Sequence, residues 1–486
     1  MHDLVLAPLL LVALSAAAIA LLRIAWLRDA RARIRNDAAA LTFHVAIGHV
    51  IIFMLLPAFL RFAFDWRSDR AVHVSPSEIV YVYFIELVSF AGWALAFVTL
   101  RSLRVPAVAP PKATTAGRTE KVFLFLMLGV GALRAVEMLV NRQVLAAGEG
   151  VLGATSATSD RFFWPLLPAT LLSGTVVGCY VIGRGRKFFG TVLWCAAVAA
   201  LLLYVVSFGL VGVRGALVWP AIWTALVVRL YRPRHAGVAI LALVAFIGLF
   251  AVFQGSYLAL READRSAGVA EKLTSVRETH QDASGVGESA EQRLGAASRY
   301  SVGFVRMWER GRSAGWNPTA NSLWAPLPRL FFPDKPWPTS VDGDQYTSGM
   351  YLCVTEVHQS VNFTMTEFLT GAHAFWEFGW VGVVALSLAA GAYAAFAAGF
   401  SARLGAAGPP VLLLFFKPWG YNNPKLWFSD IVIELTQLVP AVLLLWVCAR
   451  VVSRLTASSP SRDTRIGAPS APAGSVAASA VVASTK

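Results

Sequence analysis

Windows of mostly apolar residues recur along this chain, and about 20 such residues suffice to cross a bilayer as one helix. They run roughly over 4–27, 38–60, 78–100, 121–141, 162–183, 188–210, 214–231, 236–258, 368–400, 405–421 and 430–449. Of 486 residues, 57% are hydrophobic and only 14% charged. The pattern predicts an all-α polytopic membrane protein of about 11 transmembrane helices.

The basic residues predict a topology. The first window has no lysine or arginine before it, unlike a secretory signal peptide, and reads as a retained span with its N-terminus outside. Arginine or lysine clusters follow spans one, three, five and seven: Arg28 to Arg35, Arg101 to Lys121, Arg184 to Lys187 and Arg229 to Arg234. Arg403 follows span nine. Cytoplasmic loops carry such excess, so every odd span ends in the cytoplasm. Arg450, Arg454, Arg462 and Arg465 put the C-terminus there too. An outside start and an inside end require an odd number of spans, which makes a span of the weak "PPVLLLFFKPWG" window. The net charge of +14 lies mostly in these loops and reads as topology and contact with anionic membrane lipids, not nucleic acid.

Four regions follow. Residues 1–258 hold spans one to eight, 259–366 a large outer loop, 367–455 spans nine to eleven, and 456–486 a disordered cytoplasmic tail rich in Ala, Ser and Pro. The loop begins helix-permissive over 261–313 and turns irregular over 314–366, where Pro, Gly, Asn, Trp and Tyr accumulate. A loop of this length usually works as a lid or binding surface. Cys179, Cys195 and Cys448 fall in spans and only Cys353 in the loop, so neither a disulfide framework nor a metal site is indicated.

Candidate chemistry concentrates on and beside that loop. In "SRYSVGFVRMWERGR", Arg299, Arg306 and Arg310 lie at i, i+7 and i+11. On a helix they fall within about 40° of one another. Guanidinium forks suit phosphate oxygens; a solvated face or contact with lipid phosphates gives the same spacing. Arg214 sits at the turn between spans six and seven, as an interfacial anchor or a further cation for the same anion. The proline-rich elbow "APLPRLFFPDKPWP" carries Arg329, Asp334 and Lys335. Its rigidity lowers the entropy lost in gripping a ligand. His373 and Glu377 are i, i+4 near the start of span nine, a pair that can move a proton or lock two helices. Arg134 and Glu137 on span four read as a structural ion pair. Asp342 and Asp344 in "VDGDQY" read as a turn rather than metal ligands, and the Asn362 glycosylation pattern decides nothing. The chain has no P-loop, G-x-S-x-G or H-E-x-x-H motif and no internal repeat.

Four strings, "GVRGALVWP", "SRYSVGFVRMW", "GWNPTANSLWAPLPRLFFPDKP" and "WEFGWVG", occur in this order. Together they resemble the bacterial oligosaccharide repeat-unit polymerases, the Wzy-type O-antigen and exopolysaccharide polymerases. The likeness covers roughly 205–230 and 295–385. It implies a GT-C-like glycosyltransferase of the bacterial inner membrane with its large loop in the periplasm. Such an enzyme transfers a growing glycan from undecaprenyl pyrophosphate to the next lipid-linked repeat unit. It needs no cofactor; flippase and chain-length regulator proteins are implied partners. The resemblance implies pyrophosphate binding by Arg214, Arg299, Arg306, Arg310, Arg329 and Lys335. His373 and Glu377 would orient the acceptor hydroxyl. Trp316, Trp324, Trp337 and Tyr346 would stack on sugar rings. The family often places an acid several positions before the Phe-Gly pair; here Glu377 directly precedes Phe378, and position 374 is Ala374. The alternatives are an O-antigen ligase, a lipid-linked glycan transporter or flippase, and a non-catalytic scaffold in an envelope assembly.

Overall fold

A helix satisfies every backbone N–H and C=O within its own segment, which is what hydrocarbon demands. The structure, a computed structural model, describes residues 2–32, 37–63, 74–104, 115–140, 167–210, 215–252, 296–316, 369–415, 431–432 and 434–457, with positions 320, 323, 324, 327, 332, 356 and 357. Among these residues every regular element is helical. The helices are α1 (His2–Ala32), α2 (Asp37–Val50), α3 (Leu56–Ala63), α4 (Pro76–Arg104), α5 (Arg118–Val140), α6 (Leu167–Arg184), α7 (Arg186–Phe189), α8 (Thr191–Leu210), α9 (Gly215–Tyr231), α10 (Ala236–Val252), α11 (Ala296–Glu309), α12 (Thr370–Ala402), α13 (Gly408–Phe415) and α14 (Val439–Ala457).

Helix occupies part of each of the eleven apolar windows. Among the described residues, five segments are long and apolar enough to cross a membrane: Leu6–Arg28, Ala40–Phe59, Pro76–Arg101, Thr370–Ala402 and Val439–Thr456. Shorter apolar helices run over Thr191–Val206, Pro220–Tyr231, Pro233–Phe246 and Gly405–Phe415. The elbow's Arg329, Lys335 and Trp337, with Arg214, Tyr346, most of the loop and the C-terminal tail, lie outside the described residues.

Helices α4 and α12 form the spine, and their sequences explain why they pack so closely. Gly92 lies against Ser387, and Gly391 against the carbonyl of Trp93, with no room for a Cβ at either. Small residues let helix backbones approach where lipid gives no hydrophobic drive for association. Beside the seam, Trp93 stacks on Phe97 at 5.3 Å, and Phe43 of α2 meets both rings edge-on. A π turn, Ile51–Leu55, joins α2 to α3, and the Met54 carbonyl within it accepts from Tyr83 Oη at 2.9 Å. A second group, α5, α6, α8 and α9, packs together, with α14 against α5.

Named contacts define two ends of the bundle. At one, Glu120 at the start of α5 accepts from Ala406 N, in the turn after α12, at 2.8 Å. Ala116 N donates to Phe188 O, and Tyr180 Oη to Ala406 O. Arg184, Arg186, Lys187 and Arg403 therefore gather at this end. At the other end the start of α4, the start of α12 and α11 meet. Basic residues lie at both ends, since α11 and the turn after it carry Arg299, Arg306, Arg310 and Arg312.

Candidate functional site

The second end is built around α11. Its apolar and small residues recur so that Ala297, Ser301, Phe304 and Trp308 share one face, toward α12. Ser301 Oγ donates to Ala297 O at 2.7 Å and accepts from Leu369 N at 2.8 Å, fixing where α12 begins. Phe304 sits edge-on to His373 at 5.2 Å and tilts against Trp376 at 5.1 Å. Trp376 Nε1 donates to Arg312 O at 2.8 Å, just past the end of α11.

Helix α12 is not continuous. Phe378 (φ −140°, ψ 20°) and Gly379 (φ 61°, ψ −146°) break it after Glu377. The Gly379 backbone occupies a region essentially closed to other residues. It presses against the Trp308 ring, where a Cβ would lie 2.6 Å from Cζ2. Two helical turns, Thr370 to Glu377, therefore stand apart as a short half-helix, clamped by α11 at both ends. They carry the predicted pair. His373 Nδ1 lies 3.1 Å from Glu377 Oε1, and both side chains are almost fully buried. Phe304 and Trp376 both pack edge-on to the His373 ring.

The opposite face of α11 bears the arginines. Arg299 is buried, with 8% of its surface exposed. Arg306 grips Glu78 of α4 with a two-pronged fork, Nε to Oε1 at 2.7 Å and Nη2 to Oε2 at 2.9 Å. Its Nη1 donates to Glu356 O at 3.0 Å. Helix α11 ends at Glu309, so Arg310 lies in the following turn, where it pairs with Glu356; Arg312 reaches the same carboxylate at 3.4 Å. The predicted stripe thus runs from a buried Arg299 to an exposed Arg310. Its first member is enclosed, and the other two meet carboxylates. Trp316 lies 4.8 Å from Phe378 beside the helix break, and Trp324 stands 6.1 Å from Phe332 with both rings exposed. The side chains of Arg134 and Glu137 are outside the described residues.

Three acids escaped the reading by spacing. Glu78 also completes a capping box: Ser75 N donates to its Oε2 at 2.7 Å, and its own N–H donates to Ser75 Oγ at 3.3 Å. The "SPSE" string carries that signature. Glu86 is fully buried and accepts from Gly371 N at 2.7 Å and Thr370 Oγ1 at 3.2 Å, so α4 caps the first turn of α12. An acid inside an apolar window is a functional flag, and "YFIELVS" displays one. Glu356 carries no such local signal. Among the described residues no group of three or more His, Cys, Asp or Glu is arranged to hold a metal.

The Glu78–Arg306 fork gives a direct test. Both side chains are partly exposed, 30% and 19%. Glu78→Ala is expected to destabilise by about 1–3 kcal/mol, because a half-buried guanidinium loses its partner. Arg306→Ala on top of it should cost less than the two single changes added. Thermal unfolding in detergent measures all three; strict additivity would mean that the fork contributes nothing. No family model, no curated protein and no solved structure matches this chain.

Proposed function

We propose that the chain is an integral membrane glycosyltransferase of about eleven spans in a bacterial inner membrane. It polymerises undecaprenyl-pyrophosphate-linked repeat units at the periplasmic face. The observation that carries this reading is the docking of α11 on the half-helix. It sets a buried arginine on one face of α11 and the buried His–Glu pair against the other, at one end of an apolar bundle.

The roles follow from the chemistry. The terminal hydroxyl of one lipid-linked repeat attacks the anomeric carbon of the other glycan. A C–O bond forms there as the bond from that carbon to the pyrophosphate oxygen breaks. The hydroxyl proton passes to the His373–Glu377 pair, and undecaprenyl pyrophosphate departs with the bonding electrons. Arg299 stabilises the charge that develops on the leaving phosphate oxygens. The rings of Trp316 and Trp324 are the exposed surfaces for stacking on sugars.

One feature favours a second reading. Broken helices are common in transporters, where they mark a mid-membrane site. In α12 the break falls at positions 378 and 379 of a helix spanning Thr370–Ala402, near its beginning. A site at one end suits a substrate that approaches along a membrane face.

Purified protein in detergent, given lipid-linked repeat units, decides between them. A polymerase yields a ladder of longer glycans on the same lipid. A ligase yields product only with a second lipid acceptor. A transporter yields none, since detergent leaves no compartments. Glu377→Gln is expected to lower turnover by about 10²–10⁴-fold, the usual worth of a positioned acid–base group. A ladder of undiminished rate would remove Glu377 from the chemistry.

A further inference from the structure

At the opposite end of the bundle, α6 stops at Arg184 and the chain turns on Gly185 (φ 97°) into the four-residue α7, then on Gly190 (φ 91°) into α8. Arg184 donates to Tyr180 Oη at 3.0 Å. Its guanidinium lies 3.7 Å from the centre of the Phe188 ring and 4.3 Å from that of Tyr231. Arg232, arriving from α9, stands over the same turn: a Cβ on Gly185 would meet its Nη1 at 3.3 Å. Arg186, Lys187, Arg232 and Arg234 are exposed around this point.

Cations brought together this way repel unless something compensates them. Between Asp160 and Glu262 the chain has nine basic residues and no acidic one. Glu120, at the same end, spends its carboxylate on Gly117 N at 2.6 Å and Ala406 N at 2.8 Å. The surroundings then specify what kind of anion fits. Val192 at the start of α8 is 78% exposed, and Val238 and Leu241 of α10 are each 71% exposed. Basic side chains bordered by bare apolar helix faces match a molecule with a phosphate head and acyl tails, not a soluble anion.

We propose that the Gly185–Gly190 turn, with Arg186, Lys187 and Arg232, binds the phosphate of an anionic phospholipid headgroup. The Arg184–Tyr231–Phe188 stack holds the turn in shape, and the lipid tails lie along α8 and α10. This site is separate from the one assigned to glycan transfer and does not depend on it.

The test is native mass spectrometry of the full chain released from nanodiscs of mixed phosphatidylglycerol and phosphatidylcholine. Wild type is expected to retain phosphatidylglycerol selectively. Arg186→Ala/Lys187→Ala/Arg232→Ala should lose that retention by on the order of fivefold for each cation removed. A charge-matched control, Arg28→Ala/Arg450→Ala/Arg454→Ala, should keep it. Equal retention by the first variant overturns the proposal, and so does equal loss in the control, which would reveal only net charge. Millimolar inorganic phosphate is the third arm: lipid that stays bound supports a headgroup site, whereas full displacement would assign the turn to a free anion and overturn it.

Discussion

Arg299→Ala is expected to abolish long glycan chains while leaving the protein in the membrane. An arginine keeps its charge in any protein environment. One held at 8% exposure therefore carries a fixed positive charge within the packed end of the bundle. Removing one such electrostatic donor from a reacting centre typically costs about 10²–10³-fold in rate. Arg299→Lys should recover little, because an ammonium cannot present the planar fork. The measurements are a gel of surface polysaccharide from cells making each variant, and turnover in detergent with membrane level as control. Normal ladders from the alanine variant would end the assignment of Arg299 to the departing phosphate.

The second large effect belongs to Gly379. Any side chain there must adopt a backbone conformation costing about 1–3 kcal/mol. It must also displace the Trp308 ring, whose Cζ2 would lie 2.6 Å from the new Cβ, an overpacking worth about 1–3 kcal/mol more. Gly379→Val should lower the unfolding midpoint and expose the segment after α11 to protease. Trp308→Ala offers a way to divide the cost. Adding Gly379→Ala to it should show the backbone component alone, since the ring is gone. If Gly379→Val melts like wild type, the half-helix is not held by this break.

The helices were legible because a bilayer-length apolar run is a one-dimensional signal, and part of each window did fold as helix. Spacing also found that His373 and Glu377 share a face. It missed the partners of the arginines. Glu78 lies 228 positions from Arg306, and no periodicity reaches that far. The break at Phe378–Gly379 was visible as a Phe-Gly string, yet its meaning depends on the Trp308 ring behind it. Glu86 went unread although an acid amid "YFIELVS" is itself a signal; what it caps is 285 positions away.

That separation in sequence has a consequence for biosynthesis. Helix α4 leaves the ribosome long before Gly371 exists, and at about 5–20 residues per second the delay is roughly 15–60 s. Throughout it, the Glu86 carboxylate lacks the two donors that α12 will bring. The early helices must therefore wait beside the insertion machinery, or keep a water near that acid, until the ninth window is threaded in. Locking of the spine therefore waits on the synthesis of α12.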